Sequence, residues 1–415
     1  MRQRFPVHGR SSSAVLDELR SFKSADCDWQ HGRAPLFVFK ATEEVYEVGR
    51  AAFFEYFTEN ALGAKRAFPS VKRMEEDVIA MALDLFSASA DGQGFMTTGG
   101  TESIVQAVQT CRNWNRARRN EPRHRGNVVG PRSMHPAFDK AARLMDLEVR
   151  RIPVGEDYRA DVKAIEAAID SDTILLVGSA PCFPFGVIDP IEELAAVALR
   201  HDVWLHVDAC VGGYVAPFAR MIGRDIPNFD FGVKGVSSLS ADLHKFGFCP
   251  KPASTVFYAS AEKAGHHHFD FNEWPNGRFL TSTISGTRPS GAVAAAWAVF
   301  NLLGIEGYKR IARDLMDMVD RYKAGVEGTS GLRILGAPHL SIVAFGSDEI
   351  DVFRVAEVMA GKGWLPGLLQ EPKGIHRMMS MVHADSNDEY IADLRAAVGI
   401  VRQEAPETAS LKATY

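Results

Sequence analysis

The stretch "TILLVGSAPCFPFGVIDPIEELAAVALRHDVWLHVDA", residues 173–209, decides the fold. It begins with a short, largely apolar run at 173–180, continues into an amphipathic segment at 189–200 and returns to a second apolar run at 203–209. Two such runs joined by a helical pattern are typical of parallel strands that are buried on both faces. The stretch therefore predicts a mainly parallel sheet covered by helices. Ligands of such sheets bind at the carboxyl ends of the strands.

The same alternation of strands and helices extends on both sides, from about residue 94 to residue 260. A further strand is predicted at 254–258, and amphipathic helices are predicted upstream at 11–22 and 68–86. Beyond residue 300 the pattern changes to a long helix at 307–328, followed by shorter elements. These include predicted strands at 331–335, 340–346 and 376–383, and helices at 351–362 and 387–403.

This organisation predicts an α/β protein with a large sheet domain and a small C-terminal α+β domain. A chain of 415 residues is long enough for two or three packed units. The expected boundaries are an N-terminal arm with helices at 1–70, a large domain at 71–300 and a small domain at 301–415.

Composition excludes several classes of function. The formal net charge is −5, so no global basic field favours a nucleic-acid partner. No apolar run is long enough for a membrane anchor, and the N-terminus lacks the apolar core of a signal peptide. The five cysteines form no CxxC pair and are odd in number, which favours a reducing compartment. We therefore expect a cytoplasmic protein.

Three features carry chemistry. The glycines before Thr101, in "TTGGTES", open a predicted helix and can form an anion site. Asp208 ends a buried strand, where an acid is costly unless it is paired. Lys245, in "SADLHKFGFC", lies among apolar and small residues, so desolvation is expected to lower its pKa. Each feature alone has an ordinary explanation: a capped turn, a structural ion pair or a surface lysine.

Together the three features fit pyridoxal 5'-phosphate (PLP). This cofactor needs a lysine for its aldehyde, an acid for its pyridine nitrogen and an anion cradle for its phosphate. The phosphate loop, the acid on a strand and the lysine follow one another along the chain. Their combination is much more specific than any one of them.

At these residues the sequence resembles the group II PLP-dependent decarboxylase superfamily and, within it, the sphingosine-1-phosphate lyases. The resemblance covers nearly the whole chain and implies the PLP fold-type I, which is aspartate aminotransferase-like. Its most specific segments are "TTGGTES", "APCFPFGVIDPIEELA", "LHVDACVGGYVAPF", "VKGVSSLSADLHKFGFCPK" and "TISGTRPSGAVAAAWA".

The resemblance implies roles around the cofactor ring. Lys245 would carry PLP as a Schiff base, and Asp208 would pair with the pyridinium nitrogen. His135, in "SMHPAF", would stack over the ring, although a plain helix-start residue is the alternative. Cys182 would lie in the segment that passes the cofactor's 3-hydroxyl.

The resemblance also implies roles around the phosphate groups. Gly100 and Thr101 would bind the cofactor phosphate with help from His244. Gly286 and Thr287, in "SGTRPSG", would reach that phosphate from a partner subunit, which implies a homodimer with shared active sites.

Lys251 matches a family lysine near the substrate and its phosphate, with a solvated loop lysine as the alternative. Two departures concern the substrate. Phe39 stands where the lyases usually carry a tyrosine, and phenylalanine cannot exchange a proton. The stretch "NALGAKRAFPS" (60–70) lacks a histidine that the lyases carry there, and Lys65 or Arg66 could supply compensating charge.

The expected activity is PLP-dependent carbon–carbon bond cleavage of a phosphorylated, lipid-like 2-amino-3-hydroxy substrate, giving an aldehyde and phosphoethanolamine. An amino-acid decarboxylase, a lyase or aldolase of another β-hydroxy amine, and a non-catalytic PLP-binding protein are the alternatives. The run "GHHHFDF" (265–271) lacks the spacing of a metal site, and we expect no metal.

Overall fold

A seven-stranded sheet forms the centre of the molecule. The structure is a computed structural model that describes residues 4–403 and 409–413. The strands of this sheet are β1 (Gln93–Thr97), β2 (Asn127–Pro131), β3 (Glu148–Ile152), β4 (Thr173–Ser179), β5 (Trp204–Asp208), β6 (Val236–Ala241) and β7 (Ser254–Tyr258).

The order of the strands across the sheet is β1-β7-β6-β5-β4-β2-β3. The five strands from β6 to β3 pair in parallel, whereas β7 is antiparallel to both of its neighbours, β6 and β1. Strands β2, β4, β5, β6 and β7 are buried along their whole length. The prediction of a mainly parallel sheet covered on both faces is therefore confirmed.

Twelve α-helices are assigned in the described part of the chain, and α1, α3, α7, α11 and α12 lie close to the predicted positions. They are α1 (Ser12–Phe22), α2 (Glu43–Glu55), α3 (Pro69–Leu85), α4 (Gly100–Arg119), α5 (Ala137–Met145), α6 (Val162–Ala167), α7 (Ile191–His201), α8 (Ala216–Met221), α9 (Ala261–Ala264), α10 (Ser290–Glu327), α11 (Val352–Gly361) and α12 (Asn387–Gln403).

Local sequence explains where several helices begin. Ser11 caps α1, Asp161 caps α6 and Asp351 caps α11, each through a side-chain oxygen that accepts a backbone N–H of the first turn. Pro69 occupies the first turn of α3, where its missing N–H is not needed.

A second, four-stranded antiparallel sheet and a short ribbon complete the fold. The second sheet has the order β10-β11-β13-β12, and the ribbon pairs β8 with β9. Their bounds are β8 (Phe269–Phe271), β9 (Phe279–Thr281), β10 (Arg333–Ile334), β11 (Ile342–Gly346), β12 (Leu368–Gln370) and β13 (Lys373–Met378).

The predicted strand at 376–383 is wrong in its second half. Strand β13 ends at Met378, and the chain then forms a 3-10 turn at Met381–His383. The side chains of Ser380 and His383 each bind the other residue's backbone at this turn. Capping of this kind satisfies the backbone locally and ends the strand.

Helix α10 crosses the expected boundary between residues 300 and 301, with a kink at Gly304 (φ 53°, ψ −175°). The helix packs against α2 and α3, and one core cluster extends from Leu36 to Val398. The domain boundaries therefore stay a prediction. Among the described residues, α10 alone is long and apolar enough to cross a membrane, but a buried core helix passes the same test.

Candidate active site

A cavity of about 420 Å³ opens at the carboxyl ends of β4, β5 and β6. It lies where the parallel-sheet rule predicts a ligand site. Its lining residues, which include most of the predicted ones, are Thr98, Gly99, Gly100, Thr101, Glu102, Ile104, His135, Ser179, Pro181, Phe183, Asp208, Cys210, Val211, Asp242, His244 and Lys245.

The first turn of α4 forms one wall of the cavity. Gly100 begins the helix, and a Cβ at this position would come within 2.9 Å of Asp242 Oδ2 and of Cys210 Sγ. Only glycine therefore fits the close approach between this turn and the loop after β6. The helix start offers backbone N–H groups to an anion beside Thr101.

Glu102 shapes this turn. Its Oε2 accepts hydrogen bonds from the backbone N–H (2.7 Å) and the hydroxyl (2.5 Å) of Thr98. Its Oε1 accepts the backbone N–H of Ile284 at 2.8 Å. Both carboxylate oxygens are therefore engaged, and Glu102 ties the glycine loop to the segment around residue 284.

Asp208 is the last residue of β5 and is buried at the floor of the cavity. Its Oδ1 accepts the backbone N–H of Cys210 at 3.1 Å and the hydroxyl of Ser240 at 3.3 Å. These two donors hold the carboxylate in place and leave Oδ2 for a ligand in the cavity. A carboxylate in this position suits the nitrogen of a pyridine ring.

Lys245 lies in the loop after β6, and the structure corrects one expectation about it. Burial by itself lowers the pKa of its amine, as predicted, but the carboxylate of Asp242 raises the net value above the ordinary one. Lys245 Nζ lies 3.0 Å from Asp242 Oδ2. The prediction of a lowered pKa was therefore wrong, because it considered the apolar neighbours and missed this acid.

Two histidines border the site. His135 precedes α5, and its Nδ1 accepts the backbone N–H of Ala137 at 3.1 Å. His244 Nδ1 accepts the backbone N–H of Ala253 at 3.3 Å. Burial lowers the pKa of both imidazoles, so both rings are neutral near pH 7.

Lys251 and Phe39 lie together near the site. The Lys251 ammonium is 5.9 Å from the centre of the Phe39 ring, which packs edge-on against Phe246. Desolvation, followed by the positive charge of Lys245, lowers the pKa of Lys251. Lys251 therefore lies close enough to the cavity residues Lys245 and Asp242 for their charges to affect its pKa.

Cys182 follows Pro181 and precedes Phe183, which both line the cavity. Its own side chain is buried in a small apolar cluster with Phe185 and Leu335, and burial raises the pKa of its thiol to about 12. A role for Cys182 at the cofactor stays a prediction.

Gly286 and Thr287 lie elsewhere. Gly286 borders a different cavity, together with Lys65 and Arg288. The Thr287 hydroxyl accepts a hydrogen bond from Asn60 Nδ2 at 3.2 Å. Within one chain, these two residues are therefore not part of the set around Lys245.

In the histidine run of residues 265–271, His267 forms hydrogen bonds and a ring contact within the fold. His267 is buried, with Nδ1 2.8 Å from the Tyr258 hydroxyl and Nε2 2.7 Å from the Ser282 carbonyl oxygen. Its ring stacks on Phe95. Over residues 4–403 and 409–413, no group of three His, Cys, Asp or Glu side chains is arranged to hold a metal ion.

Sequence reasoning missed Asp242. The residue stands three positions before Lys245 and directly follows the buried strand β6, where an acid needs a partner. The same argument that singled out Asp208 could therefore have found it.

These residues fit PLP. The cavity combines an amine, a fixed carboxylate and a helix start whose Gly100 leaves no room for a Cβ. Lys245 could hold the aldehyde, Asp208 the ring nitrogen and the α4 turn the phosphate.

Comparisons with known proteins agree with this reading. The family model of the pyridoxal-dependent decarboxylase conserved domain matches residues 59–347. Sphingosine-1-phosphate lyase of Oryza sativa subsp. japonica is 39% identical over 410 residues, which cover 97% of this chain and 75% of that protein. The "Probable L-tyrosine/L-aspartate decarboxylase" of Methanothrix thermoacetophila is 34% identical over 94% of this chain and 96% of that protein.

A solved sphingosine-1-phosphate lyase from Burkholderia pseudomallei superimposes with a TM-score of 0.93 at 35% identity, over 97% of this chain and 94% of that chain. The fold-type I architecture and PLP as the cofactor are thereby confirmed. The chain belongs to the pyridoxal-dependent decarboxylase family and, within it, to the sphingosine-1-phosphate lyases.

Proposed function

We propose that this PLP-dependent lyase cleaves the C2–C3 bond of a phosphorylated, lipid-like 2-amino-3-hydroxy compound, releasing an aldehyde and phosphoethanolamine. The observation that carries the proposal is the single cavity in which Lys245, Asp208 and the first turn of α4 converge. The lyases among its relatives support the choice of substrate.

PLP, when bound, supplies an electron sink for the bond that breaks. We assign the chain's own groups as follows. Lys245 Nζ binds the cofactor's aldehyde, and Asp208 Oδ2 holds the proton on the ring nitrogen. The neutral His135 ring covers the site and excludes water, and the α4 turn with His244 fixes the cofactor phosphate. Lys251 Nζ holds the substrate phosphate.

We also propose a homodimer, in which Gly286 and Thr287 of one chain complete the site of the other. Neither residue lines the Lys245 cavity within one chain, and Gly286 borders a different cavity, which supports this arrangement. We further propose a cytoplasmic location. The five cysteines are free, and four of them are buried, which suits a reducing compartment.

The second candidate is an amino-acid decarboxylase. Two observations favour it: the full-length match to the decarboxylase relative, and Phe39 in place of a proton-exchanging tyrosine. The cavity serves either reaction, because the lysine, the acid and the phosphate cradle are common to both. Lyase or aldolase action on a different β-hydroxy amine fits Phe39 equally well.

Two experiments test the proposal. Replacing Lys245 by alanine should abolish turnover and the absorbance band of the cofactor's Schiff base with the lysine. Lys263→Ala removes a partly buried lysine that lies over the Trp114 and Trp204 rings and does not line the cavity, and it should retain both. A substrate panel should release aldehyde from phosphorylated 2-amino-3-hydroxy compounds. Release of CO2 from amino acids without any aldehyde would instead establish the decarboxylase.

A further inference from the structure

Asp242 is an almost fully buried acid, 2% exposed, that the proposed reaction does not use. It follows β6 directly. Its Oδ2 lies 3.0 Å from Lys245 Nζ and 3.6 Å from His244 Nε2. One carboxylate therefore contacts both the cofactor-binding amine and the imidazole at the phosphate cradle.

A chain of buried hydroxyls supports the other oxygen of Asp242. Ser254 Oγ lies 2.5 Å from Asp242 Oδ1, Ser103 Oγ lies 2.8 Å from Ser254 Oγ, and Thr97 Oγ1 lies 2.6 Å from Ser103 Oγ. A hydroxyl has one proton to donate, and a charged acceptor forms the stronger hydrogen bond. Ser254 therefore donates to Asp242, Ser103 to Ser254 and Thr97 to Ser103.

This arrangement keeps Asp242 ionised in spite of its burial. Burial raises the pKa of the carboxyl, but Lys245, then His244 and Ser254, bring the pKa below its usual range. An ionised carboxylate in contact with an amine favours the ammonium form of that amine. Cys210 and Asp208 also face Lys245 and raise the pKa of its amine by less than Asp242 does, and the ammonium of Lys251 is a like charge that opposes them. Gly100 lies close to this carboxylate, because a Cβ at residue 100 would come within 3.0 Å of both oxygens of Asp242.

We propose that Asp242 is a positioning residue that keeps the Lys245 amine protonated whenever the amine is not bonded to the cofactor, and that holds this amine beside His244. The inference rests on the proposed role of Lys245, and it is independent of the substrate. Only a neutral amine attacks an aldehyde. Asp242 therefore slows the reaction of the Lys245 amine with the aldehyde of PLP near pH 7, which we call cofactor capture. It also keeps the free amine in the ammonium form, which can donate a proton.

The test removes the cofactor from the 415-residue chain and then follows the capture of added PLP by absorbance over a range of pH. In Asp242→Asn, burial still lowers the pKa of the Lys245 amine, but the Asp242 carboxylate no longer raises it. The pH midpoint of capture should therefore fall by about one unit or more. Capture below the midpoint should then be about tenfold faster than in the unchanged chain. Asp242→Glu keeps the charge and should retain a midpoint close to the original.

A matched control is Asp230→Asn, which removes another buried acid that is paired with Arg220 and does not line the cavity. It should leave the midpoint unchanged. Ser254→Ala removes only the hydroxyl donor and should shift the midpoint in the same direction as Asp242→Asn by a smaller amount. If Asp242→Asn does not fold, as judged by circular dichroism, Ser254→Ala decides the question.

An unchanged midpoint in folded Asp242→Asn, or in Ser254→Ala when the first variant is unfolded, overturns the proposal. A Lys245→Ala chain that captures PLP like the unchanged protein would show that Lys245 does not bind the cofactor. The assignment of the cofactor lysine would then fail, and the failure would concern the proposed function rather than Asp242.

Discussion

The replacement Asp208→Asn separates the electrostatic role of this residue from its structural one. Asp208 Oδ1 accepts both of its donors, the Cys210 N–H and the Ser240 hydroxyl, so an asparagine carbonyl oxygen can take its place. The amide NH2 would then occupy the position that faces the cavity. The fold should therefore keep its stability to within about 1 kcal/mol, because no buried donor loses its acceptor.

The cofactor, in contrast, loses its anionic partner. A hydrogen bond to a charged group contributes about 1.5–3 kcal/mol and a neutral one about 0.5–1.5 kcal/mol, so PLP affinity should fall about tenfold. Turnover should fall further, by about 10²–10³-fold, which is the usual effect of removing one group that stabilises developing charge. Absorbance titration with PLP, steady-state kinetics at saturating PLP and urea unfolding measure the three quantities.

Asp189→Asn is the matched control. The two oxygens of Asp189 accept different backbone N–H groups, those of Ala160 and Ser179, each at 2.8 Å. An amide can satisfy only one of them, so this variant should lose about 1–3 kcal/mol of stability and retain PLP affinity. Unchanged turnover in Asp208→Asn, or a loss of stability equal to that of Asp189→Asn, would refute the reasoning.

Three further predictions follow from single residues. Gly100→Ala should overpack against Asp242, which should lower the free energy of unfolding by about 1–3 kcal/mol and should also lower PLP affinity. The control is Gly399→Ala, whose Cβ would meet no atom within 4 Å and which should be neutral or stabilising in urea unfolding. Burial lowers the pKa of His206 to about 4 in the folded chain, whereas the unfolded value is about 6.5. The folded state therefore favours the neutral ring, and the stability that this contributes is present above pH 6.5 and is lost as the pH falls toward 4. His206→Asn should reduce that acid-dependent loss by about 3 kcal/mol, as measured by urea unfolding at several pH values. Phe39→Tyr should raise turnover of phosphorylated 2-amino-3-hydroxy compounds about tenfold or more if these are the substrates, and an unchanged rate in a steady-state assay would favour a different substrate.

The main elements of the fold could be predicted from the sequence because their signals are local. The apolar runs at β4, β5 and β7 and the amphipathic pattern of α3 identify their own structures. The antiparallel direction of β7 had no such signal, because a buried strand has the same composition in either direction. The end of β13 was misplaced because a single serine–histidine cap outweighed the strand pattern after Met378.

The sequence by itself determined the residue set of a PLP site: Lys245, Asp208 and the glycines of the α4 start. Such a set is recognisable because the cofactor's chemistry requires these residue types. Only the tertiary structure decided the electrostatic state of the site. The pKa of Lys245 depends on Asp242 Oδ2 at 3.0 Å, and Coulomb energies depend on distance and burial rather than on order along the chain.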